Sequence, residues 1–181
     1  MLRNPAQRIA QALVTSRNNK TNKMGLREVK IELNKMDKSE IIKLISEMYK
    51  KIQPVKNYLD VLVSGDIKPL IEKYKKEIEK YVFPSGRELV FKDAEARKLI
   101  RSVQKMKIIN LNIELELHYV KCCLDIISDY GYWDENYYIA IEKMFNSAVN
   151  GISEIGYQKE YEDQLSSLST SASEHGLELF Y

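Results

Sequence analysis

Proline and glycine are scarce in this chain, four and seven in 181 residues. That is too few for the many turns of a loop-rich or all-β protein. Apolar runs last only a few residues, which excludes a spanning helix of the ~20 apolar residues a bilayer needs. Cysteine is confined to the adjacent pair Cys122-Cys123. Neighbours on a helix point about 100° apart and cannot reach disulfide geometry, so both thiols are expected to be reduced. A cytoplasmic setting is the default that follows. With only His118 and His175, the commonest general base is nearly missing. Gly-x-Gly-x-x-Gly, Gly-x-Ser-x-Gly, His-Glu-x-x-His and Cys-x-x-Cys are absent. Gly151 and Gly156 have phosphate-loop spacing, but Tyr157-Gln158 stands where Lys-Ser/Thr is required.

What the chain does have is Lys, Glu, Leu and Ile, with 44% hydrophobic and 30% charged residues. This is the make-up of an α-helical globule of one domain. Charge is unevenly spread. Residues 1–23 hold five Lys/Arg and no acid, residues 24–108 hold 20 against 13, and residues 109–181 hold 3 against 13. A formal net charge of +2 therefore conceals segments of +5, +7 and −10. Opposed segments can pair within one fold, pair head to tail between copies, or offer one surface to a charged partner.

In residues 1–23, Ala6, Ile9, Ala10, Leu13 and Val14 recur at helical spacing among Arg3, Arg8 and Arg17. A transit peptide, a nucleic-acid arm and a non-native leader all share that pattern. The expectation is a basic, weakly ordered extension, with a single helical domain over 24–181. From Met24 the periodicity is helical. Leu26, Val29, Leu33 and Met36 form a first stripe. Asp37 with Glu40 reads as a capping box, opening a helix with Ile41, Ile45, Met48 and Ile52 inward. Pro54 starts the next helix, with Val55, Tyr58, Leu59 and Leu62 inward, and Ser64-Gly65-Asp66 is a turn. A charged helix follows from Lys68 to Val82, then a loop at Phe83-Pro84-Ser85-Gly86 and a short extended piece over 88–92. Asp93 is expected to cap a helix to about Met106. The helix from about Ile109 to Ser128 is apolar on two sides, which marks it as the centre of the core. Asp134 caps another helix, on Tyr138, Ile141, Phe145 and Val149, and Gly151 and Gly156 loosen the pattern. A last helix begins near Gln158 and meets the serine-rich stretch 166–173, a poor helix former. Over residues 166–181 the expectation is a fraying helix followed by an apolar tail, Leu177, Leu179, Phe180 and Tyr181, that is either docked or waiting for a partner. The fold class is all-α, an irregular bundle of about six to eight helices.

The order of motifs is similar to one known family. Met24-Gly25-Leu26-Arg27 leads to Met48-Tyr49-Lys50-Lys51, then Pro54-Val55-Lys56-Asn57-Tyr58 and Tyr81-Val82-Phe83-Pro84. Ala96-Arg97-Lys98 and Asp134-Glu135-Asn136-Tyr137-Tyr138 follow before Met144-Phe145. Over about residues 24–160 this resembles a family of small bacterial helical proteins known only as a domain of unknown function. That family carries a Gly-Trp-Gly-Phe-like run near its C-terminus. The nearest counterpart here is Glu174-His175-Gly176-Leu177, a departure. The resemblance implies a natural start at Met24 and supplies no activity.

Three constellations can carry function. Arg97, Arg101 and Lys105 lie at i, i+4 and i+8, with Lys98 beside them, a row able to meet successive phosphates or an acidic surface. Tyr130, Tyr132, Trp133 and Tyr137 crowd an acidic turn. That make-up suits a protein partner better than a nucleic acid, which stacks in cationic grooves. Glu114, His118 and Cys122 also lie at i, i+4 and i+8, with Asp125 nearby. They are types that bind metal, but the Glu-x-x-His motif is broken by Leu115. A half-buried core histidine is the plainer reading of His118. The sequence therefore points to a non-catalytic cytoplasmic interaction protein that self-associates or takes a protein partner, with no cofactor and no membrane. The alternatives are a nucleic-acid-associated accessory protein using the Arg97 row and, last, a metal-dependent or hydrolytic enzyme around His118.

Overall fold

The computed structural model describes residues 25–84, 91–131 and 134–181. They form eight α-helices and no strand. These are α1 (Leu26–Leu33), α2 (Lys38–Lys51), α3 (Gln53–Ser64), α4 (Lys68–Val82), α5 (Asp93–Gln104), α6 (Ile109–Tyr130), α7 (Glu135–Ile155) and α8 (Gln158–Glu174). None of them is long and apolar enough to cross a membrane. The 88–92 piece and the leader fall largely or wholly outside the described residues. The chain divides into two units between Val63 and Ser64.

In the first unit the expected caps form. Glu28 Oε2 accepts from the Gly25 amide at 2.9 Å. Asp37 Oδ1 accepts from the Glu40 amide at 2.8 Å while Glu40 Oε2 accepts from the Asp37 amide at 3.2 Å, a complete capping box. Ile52, in extended conformation, separates α2 from α3, because Pro54 has no amide to continue the ladder. The Tyr49 hydroxyl donates to Asp60 Oδ1 at 2.7 Å and ties α2 to α3. The expected inward faces, however, are not buried. Ile45, Met48, Ile52, Tyr58 and Leu62 are exposed, and so are Leu26, Val29, Ile31, Ile42 and Val63. Among the described residues of this unit only the polar Asn57 is buried. Amphipathic spacing identified the helices correctly, but it cannot say whether a stripe has anything to cover it.

The second unit has the core. α6 packs against α4, α5, α7 and α8, with further contact between α4 and α5 and between α7 and α8. Both apolar stripes of α6 are buried: Leu111, Leu115, Cys122 and Ile126 on one, Ile113, Leu117, Val120, Leu124 and Ile127 on the other. α4 contributes Leu70, Ile71, Tyr74, Ile78 and Val82, and α5 contributes Ala96, Ile100 and Val103. α7 contributes Ile141, Met144, Phe145 and Ala148 among others. Asp93 is the first residue of α5 rather than its cap, and its carboxylate turns to Arg97. Gly151 does not end α7 but lies within it, where a Cβ would come within 3.0 Å of Ile113 Cγ1. Its missing side chain lets α7 approach α6 closely. Gly156, at φ 72°, closes the helix in the left-handed conformation.

The serine-rich stretch does not fray; α8 runs to Glu174. Leu165, Leu168 and Ala172 are buried, so packing outweighs propensity. Thr170 and Ser173 donate to the carbonyls of Ser166 and Thr170. The C-terminal tail is docked through buried Leu177 and Leu179, and Ser169 donates to the Leu179 carbonyl at 2.7 Å. Phe180 and Tyr181 remain exposed.

Replacing Phe145, fully buried on α7, by Ala is expected to cost about 3–5 kcal/mol in urea denaturation. Ile45→Ala on α2 is expected to change stability by no more than about 0.5 kcal/mol. A loss at Ile45 matching that at Phe145 would contradict the exposed placement of α2.

Candidate functional site

A gathering of polar side chains in the second unit lies where α4, α6 and α8 meet. The i, i+4 spacing puts Lys75 and Glu79 on one face of α4. The same rule puts Glu114, His118 and Cys122 in a row on α6, flanked by Lys121 and Asp125. α8 brings Tyr161, Gln164, Ser167 and Ser171 to the opposite side. Lys75 Nζ meets Glu114 Oε2 at 2.8 Å, and the Tyr161 hydroxyl donates to Glu114 Oε1 at 3.1 Å. Lys121 Nζ meets Asp125 Oδ2 at 2.8 Å. His118 Nε2 lies 3.1 Å from Glu79 Oε1 and 3.6 Å from Cys122 Sγ. Of these, Lys75, His118, Lys121, Asp125 and the α8 residues Gln164, Ser167 and Ser171 line a cavity of about 350 Å³, with Leu124 and Leu168 as its apolar lining.

The histidine geometry decides what this row can do. Both neighbours of His118 address the same nitrogen, Nε2. To bond the Glu79 carboxylate, Nε2 must carry a proton, and it then cannot accept one from the thiol. A nucleophile–base–orienter relay needs the two ring nitrogens divided between the partners. The electrostatics run the same way. Burial, with the Glu79 and Asp125 carboxylates nearby, pushes the Cys122 thiol up to about 12, the opposite of thiolate activation. Burial also lowers the His118 pKa, against the pull of Glu79. Glu114 is engaged by Lys75 and Tyr161. Among the described residues no three His, Cys, Asp or Glu side chains converge as a metal-binding group. The Glu114–His118–Cys122 row is a real spatial cluster, and its chemistry is that of a paired polar network.

The other two constellations are dispersed. Arg97 Nη2 meets Asp93 Oδ2 at 2.8 Å and Lys98 Nζ meets Glu95 Oε1 at 2.7 Å, both within α5. The Arg101 Nε–H donates to the Arg97 carbonyl at 3.2 Å. Arg97 is half-buried, with no partner for its Nε among the described residues, while Lys98, Arg101 and Lys105 are exposed. The row is thus shortened to three outward cations, and its salt partners belong to its own helix rather than to the acidic C-terminal segment. Around the aromatic turn, Tyr132 and Trp133 lie outside the described residues. Tyr130 is exposed and packs edge-on against Phe91 at 5.4 Å. Tyr137 is buried beside the Cys123 thiol, so it belongs to the core and not to a surface shared with Tyr130.

Sequence reasoning missed Glu116. It is 2% exposed. Oε1 accepts from Gln104 Nε2 at 2.6 Å and from the Ser147 hydroxyl at 2.9 Å. Burial raises its pKa, and the two hydrogen bonds oppose the rise. The only signal was indirect: a helix with both sides apolar leaves residue 116, between Leu115 and Leu117, no face turned to water. No protein-family model, curated protein or solved structure matches the chain, so function has to be argued from this geometry.

A folded-state pKa raised above the unfolded carboxylate value means that the stabilising difference is present below the unfolded pKa and lost as pH rises through the folded one. Glu116→Gln is therefore expected to gain in stability relative to the parent as pH rises from about 4 to about 8, read from urea midpoints. A difference independent of pH would refute the raised pKa. Both cysteines are buried, and Cys123 is likewise pushed up to about 12 by burial. Neither is expected to react with a thiol reagent near neutral pH until the protein is denatured, when two thiols should titrate; rapid native labelling of Cys122 would overturn this assignment.

Proposed function

We propose that this is a non-catalytic interaction protein of the cytoplasm, in which residues 64–181 form a folded platform and the apolar faces of α2 and α3 dock onto another protein chain, a second copy being the partner at hand. The observation that carries this reading is the state of α1–α3. They have 8, 14 and 12 residues, and among the described residues they bury no apolar side chain. Helices of this length are marginal in water without tertiary packing. The α2 stripe Ile41, Ile45, Met48 and Ile52 advances by four, three and four residues, the spacing of a helix-to-helix seam. An exposed apolar surface of this kind marks an interaction site, and each such side chain covered by a partner contributes about 1.5–3 kcal/mol. The opposed charge of residues 1–108 and 109–181 supports a second copy set head to tail, basic end against acidic end. The reduced state of two unpaired, buried cysteines fits a reducing compartment.

Sedimentation velocity across a concentration series, with far-UV circular dichroism on the same samples, tests the reading. Association accompanied by a rise in helicity is expected, and Ile45→Asp with Ile52→Asp should abolish both without lowering the unfolding midpoint of the 64–181 core. A chain that stays monomeric with concentration-independent helicity, unaffected by the two substitutions, would remove self-association. Salt-sensitive binding of short RNA lost on Arg101→Glu with Lys105→Glu would instead favour the basic face of α5.

A further inference from the structure

Most hydroxyls in the second half of α8 fall into two sets. Ser169, Thr170 and Ser173 donate to backbone carbonyls. Gln164, Ser167 and Ser171, the polar residues that α8 turns toward the α4–α6–α8 cavity, bond with their side chains to nothing among the described residues. Apart from the exposed Ser166, the unspent serine hydroxyls of the helix are aimed at one place. Across the cavity the one carboxylate of the lining, Asp125, is engaged by Lys121, and the Glu79 and Glu114 carboxylates outside the lining are taken by His118 and by Lys75 and Tyr161. An ammonium has three N–H donors, and Lys75 and Lys121 each show one used. A guest in this cavity meets a surplus of donors.

Volume and charge narrow the guest further. About 350 Å³ lies at the small end of the ~300–1,000 Å³ typical of ligand sites, and Leu124 and Leu168 give it an apolar floor. The charged groups lining it are Lys75 from α4 and Lys121 and Asp125 from α6, with none from α8. The Glu79 and Glu114 carboxylates lie outside the lining, paired with His118 and with Lys75. Two cations against one carboxylate give the lining a formal +1 with His118 neutral. One negative charge balances it, a second would exceed it, and a proton taken up by His118 as the ligand enters adds to the attraction.

We propose that this cavity binds a small organic monocarboxylate. Its carboxylate is held by the Lys75 and Lys121 ammonium groups and the Ser167 and Ser171 hydroxyls, and its short apolar body lies on Leu124 and Leu168. The site belongs wholly to residues 64–181 and does not rest on the association proposed for α2 and α3. Because burial lowers the pKa of free His118, a bound anion favours proton uptake there, and affinity rises as pH falls toward and below the ordinary histidine value.

NMR titration of the full chain with sodium butyrate, butylammonium and inorganic phosphate at matched ionic strength tests this, following the amides of α8 and the imidazole C–H of His118. Butyrate alone is expected to shift the Ser167, Ser171 and His118 signals saturably, at least about fivefold more tightly near pH 6 than near pH 8. Ser167→Ala with Ser171→Ala is expected to weaken binding about tenfold while leaving the His118 titration of the free protein unchanged. Saturation by phosphate or butylammonium in place of butyrate, the same affinity at both pH values, an unchanged affinity in the double variant, or no saturable shift at all would overturn the proposal.

Discussion

The second unit depends on the near-complete burial of α6. Apart from a strip at Lys121 and Asp125 and its last turn, this helix has little face left for water, because α4, α5, α7 and α8 each take a share of its circumference. Buried apolar area is the largest favourable term in folding, and here it is collected on one element whose two stripes together carry most of its aliphatic side chains. The consequences reach outward. α7 must come close, which is why a glycine stands at 151 against Ile113. α8 is held helical through a serine-rich sequence because Leu165, Leu168 and Ala172 must cover what remains. The C-terminal tail is drawn down through Leu177 and Leu179 for the same reason.

A helix enclosed in this way turns every polar residue on it into a problem that neighbours must solve. Glu116 is met by a donor from α5, at the end of Gln104, and by another from α7, at Ser147. Glu114 is met from α4 and α8, by Lys75 and Tyr161. His118 leans on Glu79 of α4. Glu114, Glu116 and His118 therefore fix the positions of the helices around α6, since each has a partner on another element. Lys75 with Glu114 is also a point where the basic front of the chain meets its acidic back. The Asp93–Arg97 and Glu95–Lys98 pairs, by contrast, stay within α5, and i, i+3 or i, i+4 surface pairs of this kind contribute only a few tenths of a kcal/mol.

Much of this was legible in the sequence, for reasons that differ by residue. The Asp37 box, the break at Pro54, the turn at Gly65 and the cap at Asp134 are local signals, and local signals are decided by the chain's own backbone. The central place of α6 was legible because two apolar stripes on one helix have no other stable outcome. Three things escaped. Gly151 was read as a loosening of α7, since only the approach of another helix gives it a reason. Ser166 to Ser173 was read as fraying, since propensity is small beside burial. The row Glu114, His118, Cys122 was legible as a cluster, but its lack of relay chemistry lies in which nitrogen of His118 its neighbours reach, and spacing does not encode that.

The exposed stripe on α2 and α3 shows where sequence pattern stops carrying information about a single chain. Amphipathic spacing reports that a face seeks cover; it does not report who supplies it. In α4 and α6 the cover is another helix of the same unit, and side chains such as Ile78 and Leu117 are fully buried. In α2 the same kind of spacing leaves Ile45, Met48 and Ile52 open. The capping box at Asp37 favours the helix whether or not the stripe is covered, so its two hydrogen bonds hold the face ready at a fraction of the stability that burial would add. A face that is organised by its own caps but not buried by its own fold is suited to cover from outside, and the second unit, stable through α6, supplies a platform that does not have to reorganise when that cover arrives.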